Sequence, residues 1–572
     1  MPLETTLMVG GEAGQGVQSV GFLLAKAFAR GGYHVFADQD YESRIRGGHN
    51  FFRIRVKDKP VSAVSETIDF LLALNKETID LHHRELSRNG IIIYDGENIK
   101  TGASDRFFSI PLEKIAAEKA GDKIMSNTVA LGAVLGLVGY ELNILLKLLR
   151  EHFSKKPEVA EQNVKAVRAG YDYAQAEFNG KPGLKLNIIN DKAQMMLLNG
   201  NEAVSLGALA AGCKFMSAYP MTPATPIMEY LASKSKEFNI AVVHAEDEIA
   251  AINMAIGAAF AGARAMTATS GSGFCLMVEG LGLAGITETP VVIVDGQRPG
   301  PAVGLPTRTE QGDLQFVITA HHGEFPRAVL APATVEDAFW LTVKAFNIAE
   351  KYQLPVIILI DHYLSTAYNT VEPFDLSKVT IERGILFSGK DEDPAAYKRH
   401  LVTESGISPR AFPGLSKALV MTDSDEHDEA GHLTESAQER TAQVQKRLRK
   451  LAGLVKEMAL PRRYGLKEAD LTLIGWGSTY GALREAVDIL RRGGQSVNLL
   501  HFNELYPFPA KIASVLSRAK ATCVVENNAT GQLARLIRAE TGIGVSGKVL
   551  KFDGRPFTPA IIIDGLRKEG LV

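Results

Sequence analysis

HAEDEIAAINMAIGAAFAGARAMTATSGSGF, residues 244–274, carries the pattern that decides the fold. Three acids, Glu246, Asp247 and Glu248, open a run of small and apolar residues that reads as a helix, and a helix N-terminus favours acids there. A strand-like run over 265–268 follows, and a Ser/Gly loop leads into a second apolar helix. Strand-like runs at 214–217, 240–244, 291–295 and 354–361 extend the alternation into an α/β domain over 195–372.

The same alternation recurs on both sides. An apolar run at 6–9, the loop GGEAGQG (Gly10–Gly16) and a helical pattern through Leu23, Leu24, Ala27 and Phe28 open a Rossmann-like α/β domain over 1–190. Further strand runs fall at 34–37, 70–74 and 91–94. Residues 466–572 repeat the scheme with strands at 471–474, 496–500 and 522–526. Between them, 373–465 is charged and irregular, with DSDEHDEAGHLTES and the basic helical QKRLRKLAGLVKEM, and is expected to be a connecting arm with few core contacts. The expected fold class is α/β, with three successive parallel or mixed sheet domains.

Composition excludes several classes. At 572 residues, 46% hydrophobic and 22% charged, the chain is an ordinary multidomain globular protein. A net charge of −2 supplies no field for nucleic acid or an anionic membrane. Its most apolar stretches are interrupted before the ~20 residues a membrane span needs. Three cysteines without CxxC spacing fit a reducing cytoplasm and are too few for the four thiolates of a cubane cluster. MPLETTLMVGG lacks the order of an export signal, so a cytoplasmic location is expected. No zinc-protease, P-loop or nucleophile-elbow motif occurs, and no metal ligand set is expected in this chain.

Each local motif has two readings. GGEAGQG is a phosphate-type ligand loop or a tight strand-to-helix turn. In SRIRGGHN (43–50), Arg44, Arg46 and His49 suit an anion as well as a packing surface. YPMTP (219–223) sets Tyr219 and Thr222 in a turn at the carboxyl end of a strand, where open α/β sheets bind ligands; a plain helix entry is the alternative. A carboxylate at the head of so apolar a helix is desolvated and poised to exchange protons, or is only favoured by the dipole. In TATSGSGF (267–274), Thr269, Ser270 and Gly271 allow a planar ring to approach the backbone, or form a simple turn. Arg308 in PTRTEQGDL (306–314) presents a guanidinium fork suited to a carboxylate, or a surface ion pair.

Taken in order, these strings resemble the α subunit of the 2-oxoacid:ferredoxin oxidoreductases with the family's γ domain fused at its N-terminus. GGEAGQGV and RIRGGH resemble the γ domain; YPMTP, the AEDE helix, TATSGSGF and GLPTRTEQGDL resemble the thiamine pyrimidine-type domain. DEHDEAGHLTES resembles the connecting arm, and LIGWGSTYG with VVENNATGQL the transketolase-like C-terminal domain. The fused arrangement is most similar to 2-oxoglutarate enzymes.

The resemblance implies a site shared with a β subunit that binds the diphosphate and Mg²⁺ of thiamine diphosphate and carries a [4Fe-4S] cluster. Consistently, the Gly-Asp-Gly that begins a diphosphate signature is absent here. By the same resemblance Glu248 is the cofactor-activating glutamate, with Glu246 as the second choice. Thr269, Ser270 and Gly271 contact the cofactor, Tyr219 and Thr222 meet the substrate, and Arg308 binds its carboxylate. Coenzyme A takes the acyl group, ferredoxin takes the electrons, and two αβ pairs assemble. Relatives carry Ser-Thr where this chain has Ala302-Val303. Oxidative decarboxylation and the CO₂-fixing direction of a reductive TCA cycle both fit. Pyruvate or branched-chain 2-oxoacids are alternative substrates, and a nucleotide-binding regulatory module is the alternative outside catalysis.

Overall fold

A computed structural model describes residues 4–43, 47–102, 104–178, 181, 183–189, 195–387 and 393–572. It divides into two compact units, Met1–Leu198 with Ala367–Phe374, and Asn199–Thr366 with Asp375–Val572. Among the described residues no helix is long and apolar enough to cross a membrane.

Unit 1 is built on an eight-stranded sheet among its described residues. Its strands include β1 (Glu4–Glu12), β2 (His34–Asp40), β3 (His49–Lys57), β4 (Ile68–Ala73), β5 (Leu86–Tyr94) and β6 (Phe107–Ser109). Across the sheet the order is β6-β5-β4-β1-β3-β2, followed by Tyr368–Val371 and Met196–Leu198. β1 runs parallel to β4 but antiparallel to β3, so this sheet is mixed. In β3, HNFFRIRVK alternates and buries Asn50, Phe52, Ile54 and Val56 on one face, the period of two of a strand, with Arg55 buried on the other. The strand begins at His49, inside the SRIRGGHN segment. The glycine loop after β1 ends at Gly16, whose φ of 79° heads the helix α1 (Val17–Arg30). A β-carbon on Gly16 would stand 2.2 Å from Asn127 Nδ2, so both conformation and space require glycine.

Unit 2 contains a seven-stranded and a five-stranded sheet among its described residues. The first includes β7 (Phe215–Ala218), β8 (Ala241–His244), β9 (Ala265–Thr269), β10 (Val291–Gln297), β11 (Ala328–Leu330) and β12 (Pro355–Asp361), in the order β11-β12-β10-β9-β7-β8. All of these pair in parallel. The register sets Thr269 opposite Asp295 and Gln297 opposite Asp361, which gathers polar side chains at the carboxyl edge. The second sheet has β13 (Arg462–Gly465), β14 (Leu471–Trp476), β15 (Val497–Phe502), β16 (Ala521–Glu526) and β17 (Gly547–Leu550), in the order β13-β15-β14-β16-β17. The strand Glu504–Tyr506 crosses to pair with β11. One core joins the two sheets, with Val329 and Ile357 packed in the same cluster as Trp476, Phe502 and Leu533.

The arm is not a solvated connection. Its helix Ala437–Glu457 buries Gln443, Lys446, Arg447, Lys450 and Leu454. Lys446 Nζ lies 2.5 Å from Glu288 Oε1, Lys450 pairs with the other oxygen, and His400 Nδ1 is 3.0 Å away. Few core contacts were expected of so charged a segment; its charges are instead buried in pairs, which composition alone does not reveal.

Candidate active site

Glu248 is the first residue of the helix α4 (Glu248–Phe260), which Asp247 caps by accepting a 2.7 Å hydrogen bond from Ala250 N. The cap turns Glu248 inward: it is 3% exposed, and its Oε1 is buried with no hydrogen-bond partner among the described residues. Burial raises its carboxyl above the ordinary glutamate range, making the neutral acid more accessible than in water. Glu246, two residues earlier, is exposed.

The Ser/Gly loop lies against it. Thr269 and Ser270 are fully buried, Gly271 begins the helix α5 (Gly271–Ile286), and Gly273 leaves space beside Glu248 Oε1 and Thr269 Oγ1. Thr267 Oγ1 and Ser270 Oγ are also buried without a partner among the described residues. The YPMTP turn closes the other side, where Met221 Sδ accepts from Ser272 Oγ at 3.4 Å. Asn201 Nδ2 fixes the carbonyl of Pro223 at 2.8 Å, and Arg298 Nη1 fixes that of Thr222 at 2.7 Å. Tyr219 is 39% exposed, its ring 6.2 Å from that of His244.

Arg308 sits on a loop stitched to the five-stranded sheet's side of the unit. Gln311 N donates to Asn527 O at 2.7 Å, Asn527 N to Gln311 Oε1 at 2.9 Å, and Gln311 Nε2 to Trp476 O at 2.8 Å. Gln532 Nε2 adds a bond to Gly312 O at 2.6 Å. The ENNATGQ string thus serves as the clamp of the Arg308 loop. His362, just after β12, is buried; burial and then the charges of Arg308 and Arg298 push its imidazole down to about 3, so it is neutral. Both guanidinium groups therefore lie within electrostatic reach of one imidazole.

In unit 1, His49 Nε2 lies 2.8 Å from His82 Nε2, and His82 Nδ1 lies 3.0 Å from Glu85. Burial and the neighbouring His82 lower the His49 imidazole. Arg44 and Arg46 lie outside the described residues. The glycine loop lines a cavity of about 460 Å³ through Gly14 and Gln15, opposite Asn75, Asp95 and Asn127.

Three family descriptions match along the chain: "Pyruvate ferredoxin/flavodoxin oxidoreductase" over 6–173, "Pyruvate flavodoxin/ferredoxin oxidoreductase, thiamine diP-bdg" over 206–446, and "Pyruvate:ferredoxin oxidoreductase core domain II" over 469–562. The chain is 35% identical to the 2-oxoacid:ferredoxin oxidoreductase subunit alpha of Sulfolobus sp, covering 96% of this chain and 94% of that one. The chain belongs to the 2-oxoacid:ferredoxin oxidoreductase alpha subunits. The 2-oxoglutarate oxidoreductase subunit KorA of Mycobacterium tuberculosis is 31% identical over 96% of this chain and 88% of its own length. A solved 2-oxoglutarate:ferredoxin oxidoreductase from Magnetococcus marinus, with 2-oxoglutarate, coenzyme A and succinyl-CoA bound, superposes with a TM-score of 0.91 at 34% identity over 99% of both chains.

Within this alpha subunit, the thiamine-binding match spans Glu248, the Ser/Gly loop, YPMTP and Arg308, which the structure gathers at one sheet edge. Asp295, Arg298, Asp313 and His362 stand at that edge too and were not singled out from sequence. Asp295 lies near the carboxyl end of one apolar strand and His362 follows another, and this position at the carboxyl end of a parallel strand is the signal that could have found them.

Proposed function

We propose that this chain is the half-site subunit of a 2-oxoglutarate:ferredoxin oxidoreductase, acting with a β subunit in the coenzyme A-dependent, reversible conversion of 2-oxoglutarate to succinyl-CoA and CO₂ with reduction of ferredoxin. The single observation that carries this reading is the buried Glu248 with its orphaned Oε1 beside the Gly271–Gly273 cradle. An aminopyrimidine suits this group, because a carboxyl oxygen left without a protein partner can take a ring nitrogen as its hydrogen-bond partner, and Gly273 lets the carboxyl hold that pose. Thiamine diphosphate, when bound, supplies the electron-accepting chemistry that decarboxylation of a 2-oxoacid requires.

Glu248 holds and exchanges the proton at Oε1, and the surrounding apolar helix keeps water from competing for it. Thr269, Ser270 and Gly271 form the wall against which the ring lies. Thr222 and Tyr219 offer hydroxyl donors to the 2-oxoacid, and Arg308 grips its carboxylate from a loop held in place by Gln311 and Asn527. The Magnetococcus marinus enzyme's bound 2-oxoglutarate and coenzyme A support the same substrates here. His49 and the adjoining Arg44 and Arg46 are the proposed anion or coenzyme A contacts.

Dependence on a partner has three supports. The chain has no Gly-Asp-Gly for a diphosphate and Mg²⁺, and its three cysteines are unpaired singles that cannot hold a [4Fe-4S] cluster. Ile249, Met254 and Leu276, on the two helices that frame the site, are exposed apolar side chains. We place both cofactors on a β chain, with two αβ pairs assembled in the cytoplasm. Reconstitution with a β chain, followed by kcat/KM for 2-oxoglutarate, pyruvate and 2-oxoisovalerate, tests this. A preference for 2-oxoglutarate of tenfold or more is expected; a preference for pyruvate would move the chain to the activity its family description names.

A further inference from the structure

Asp295 lies near the carboxyl end of β10, directly opposite Thr269 in the ladder, and is fully buried. Neither of its carboxyl oxygens, nor Oδ2 of Asp313, meets a hydrogen-bond donor among the described residues. Asp313 precedes the helix Leu314–Thr319, and its backbone N–H is fixed by Gln297 Oε1 at 3.2 Å. Its carboxyl presses on Gly271, where a β-carbon would stand 2.7 Å from Oδ2 and 2.9 Å from Oδ1. The two carboxyl groups are within hydrogen-bonding reach of each other. Two ionised carboxylates have no hydrogen between them, whereas one shared proton supplies the missing donor.

Three other titratable groups act on this pair. Cys275 reaches it from α5, Glu310 from the loop before Asp313, and Arg298 from the segment after β10. Arg298 is the cation of the set, and it donates to the Thr222 carbonyl. Burial and the charge of Asp313 push Glu310 up to about 6, so a further negative charge beside the pair costs more than in water. The guanidinium of Arg298 offsets negative charge on the pair.

We propose that Asp295 and Asp313 share a single proton, and that this singly charged pair is a positioning device that holds Arg298 on the Thr222 carbonyl and so fixes the YPMTP turn against the Gly271 end of α5. Asp295 is the proton carrier: burial and then the adjacent Asp313 charge hold its carboxyl well above the ordinary range. Asp313 is the charged member, pushed up by burial only to about 6. Of the two, Asp313 therefore gives up its proton first. The positioning role rests on the reading of Thr222 as a substrate contact; the shared proton does not.

Infrared spectra of the full chain at neutral pH, in water and in heavy water, read the proton directly. The difference between wild type and Asp295→Asn is expected to show the loss of one buried protonated-carboxyl band that shifts on deuteration. Its absence would overturn proton sharing, whatever the enzyme's activity. In the reconstituted complex, Asp313→Asn and Arg298→Met are each expected to raise KM for the 2-oxoacid tenfold or more with a smaller change in kcat. Asp295→Asn, which keeps a neutral donor, should exceed Asp313→Asn in kcat/KM by at least tenfold. Equal losses in the two Asn variants, or an unchanged KM in Arg298→Met, would overturn the positioning role. If Asp313→Asn does not fold, the infrared difference and Arg298→Met still decide the matter.

Discussion

A β-carbon built on Gly273 would stand 2.5 Å from Glu248 Oε1 and 2.1 Å from Thr269 Oγ1. Glycine at this position is therefore the space that lets the carboxyl occupy its buried pose. Gly273→Ala should cost about 1–3 kcal/mol through overpacking. It should also lower kcat at least tenfold by displacing the acid. Thermal unfolding and steady-state turnover of the reconstituted complex measure the two effects separately.

The Arg308 loop depends on Gln311, whose amide satisfies both Asn527 N and Trp476 O. Gln311→Ala leaves those buried backbone groups unpaired, at about 1–3 kcal/mol. Because Arg308 loses its fixed base, KM for the 2-oxoacid should rise several-fold while the thiamine-side chemistry persists. A normal KM together with a lower melting temperature would show that the clamp serves only stability.

The buried arm network gives a pH signature. Glu288→Gln leaves Lys446 and Lys450 without their counter-charge and should destabilise the chain by about 3–5 kcal/mol. Burial lowers the Lys450 ammonium from 10.5 to about 8. In the unfolded chain it returns to its ordinary value, so between about pH 8 and 10.5 the unfolded state binds the extra proton. Stability from this group therefore rises with pH across that window, and its cost is constant below it. Lys450→Met should remove that alkaline rise in denaturant midpoints measured from pH 7 to 10.5.

Much of the fold was legible because parallel strands are apolar along their length and their loops carry the chemistry. Residues 265–268 and 291–295 announce themselves this way, and so do YPMTP and TSGSG. What escaped has physical causes. His49–Lys57 alternates Phe, Ile and Val with Arg, but its first residues belong to SRIRGGHN, whose charges rather than its period were read. Lys446 and Lys450 look like solvent residues unless Glu288, far away in sequence, is known to face them. Asp295 and Asp313 become a pair only when β10 and the segment after Arg308 meet, a contact no local pattern encodes. Glu248 was separable from Glu246 in the structure because the Asp247 cap turns one inward and leaves the other exposed.

The central claim is that Glu248 is the acid that serves the cofactor. Its most direct test is the turnover of Glu248→Gln beside Glu246→Gln in the same reconstituted complex with 2-oxoglutarate, coenzyme A and ferredoxin. The account predicts that Glu248→Gln assembles normally but falls at least a hundredfold in kcat, the order expected for loss of a positioned proton donor. Glu246→Gln should stay within about threefold of wild type, as expected for an exposed side chain. Wild-type turnover in Glu248→Gln, or the large loss appearing in Glu246→Gln instead, would contradict it.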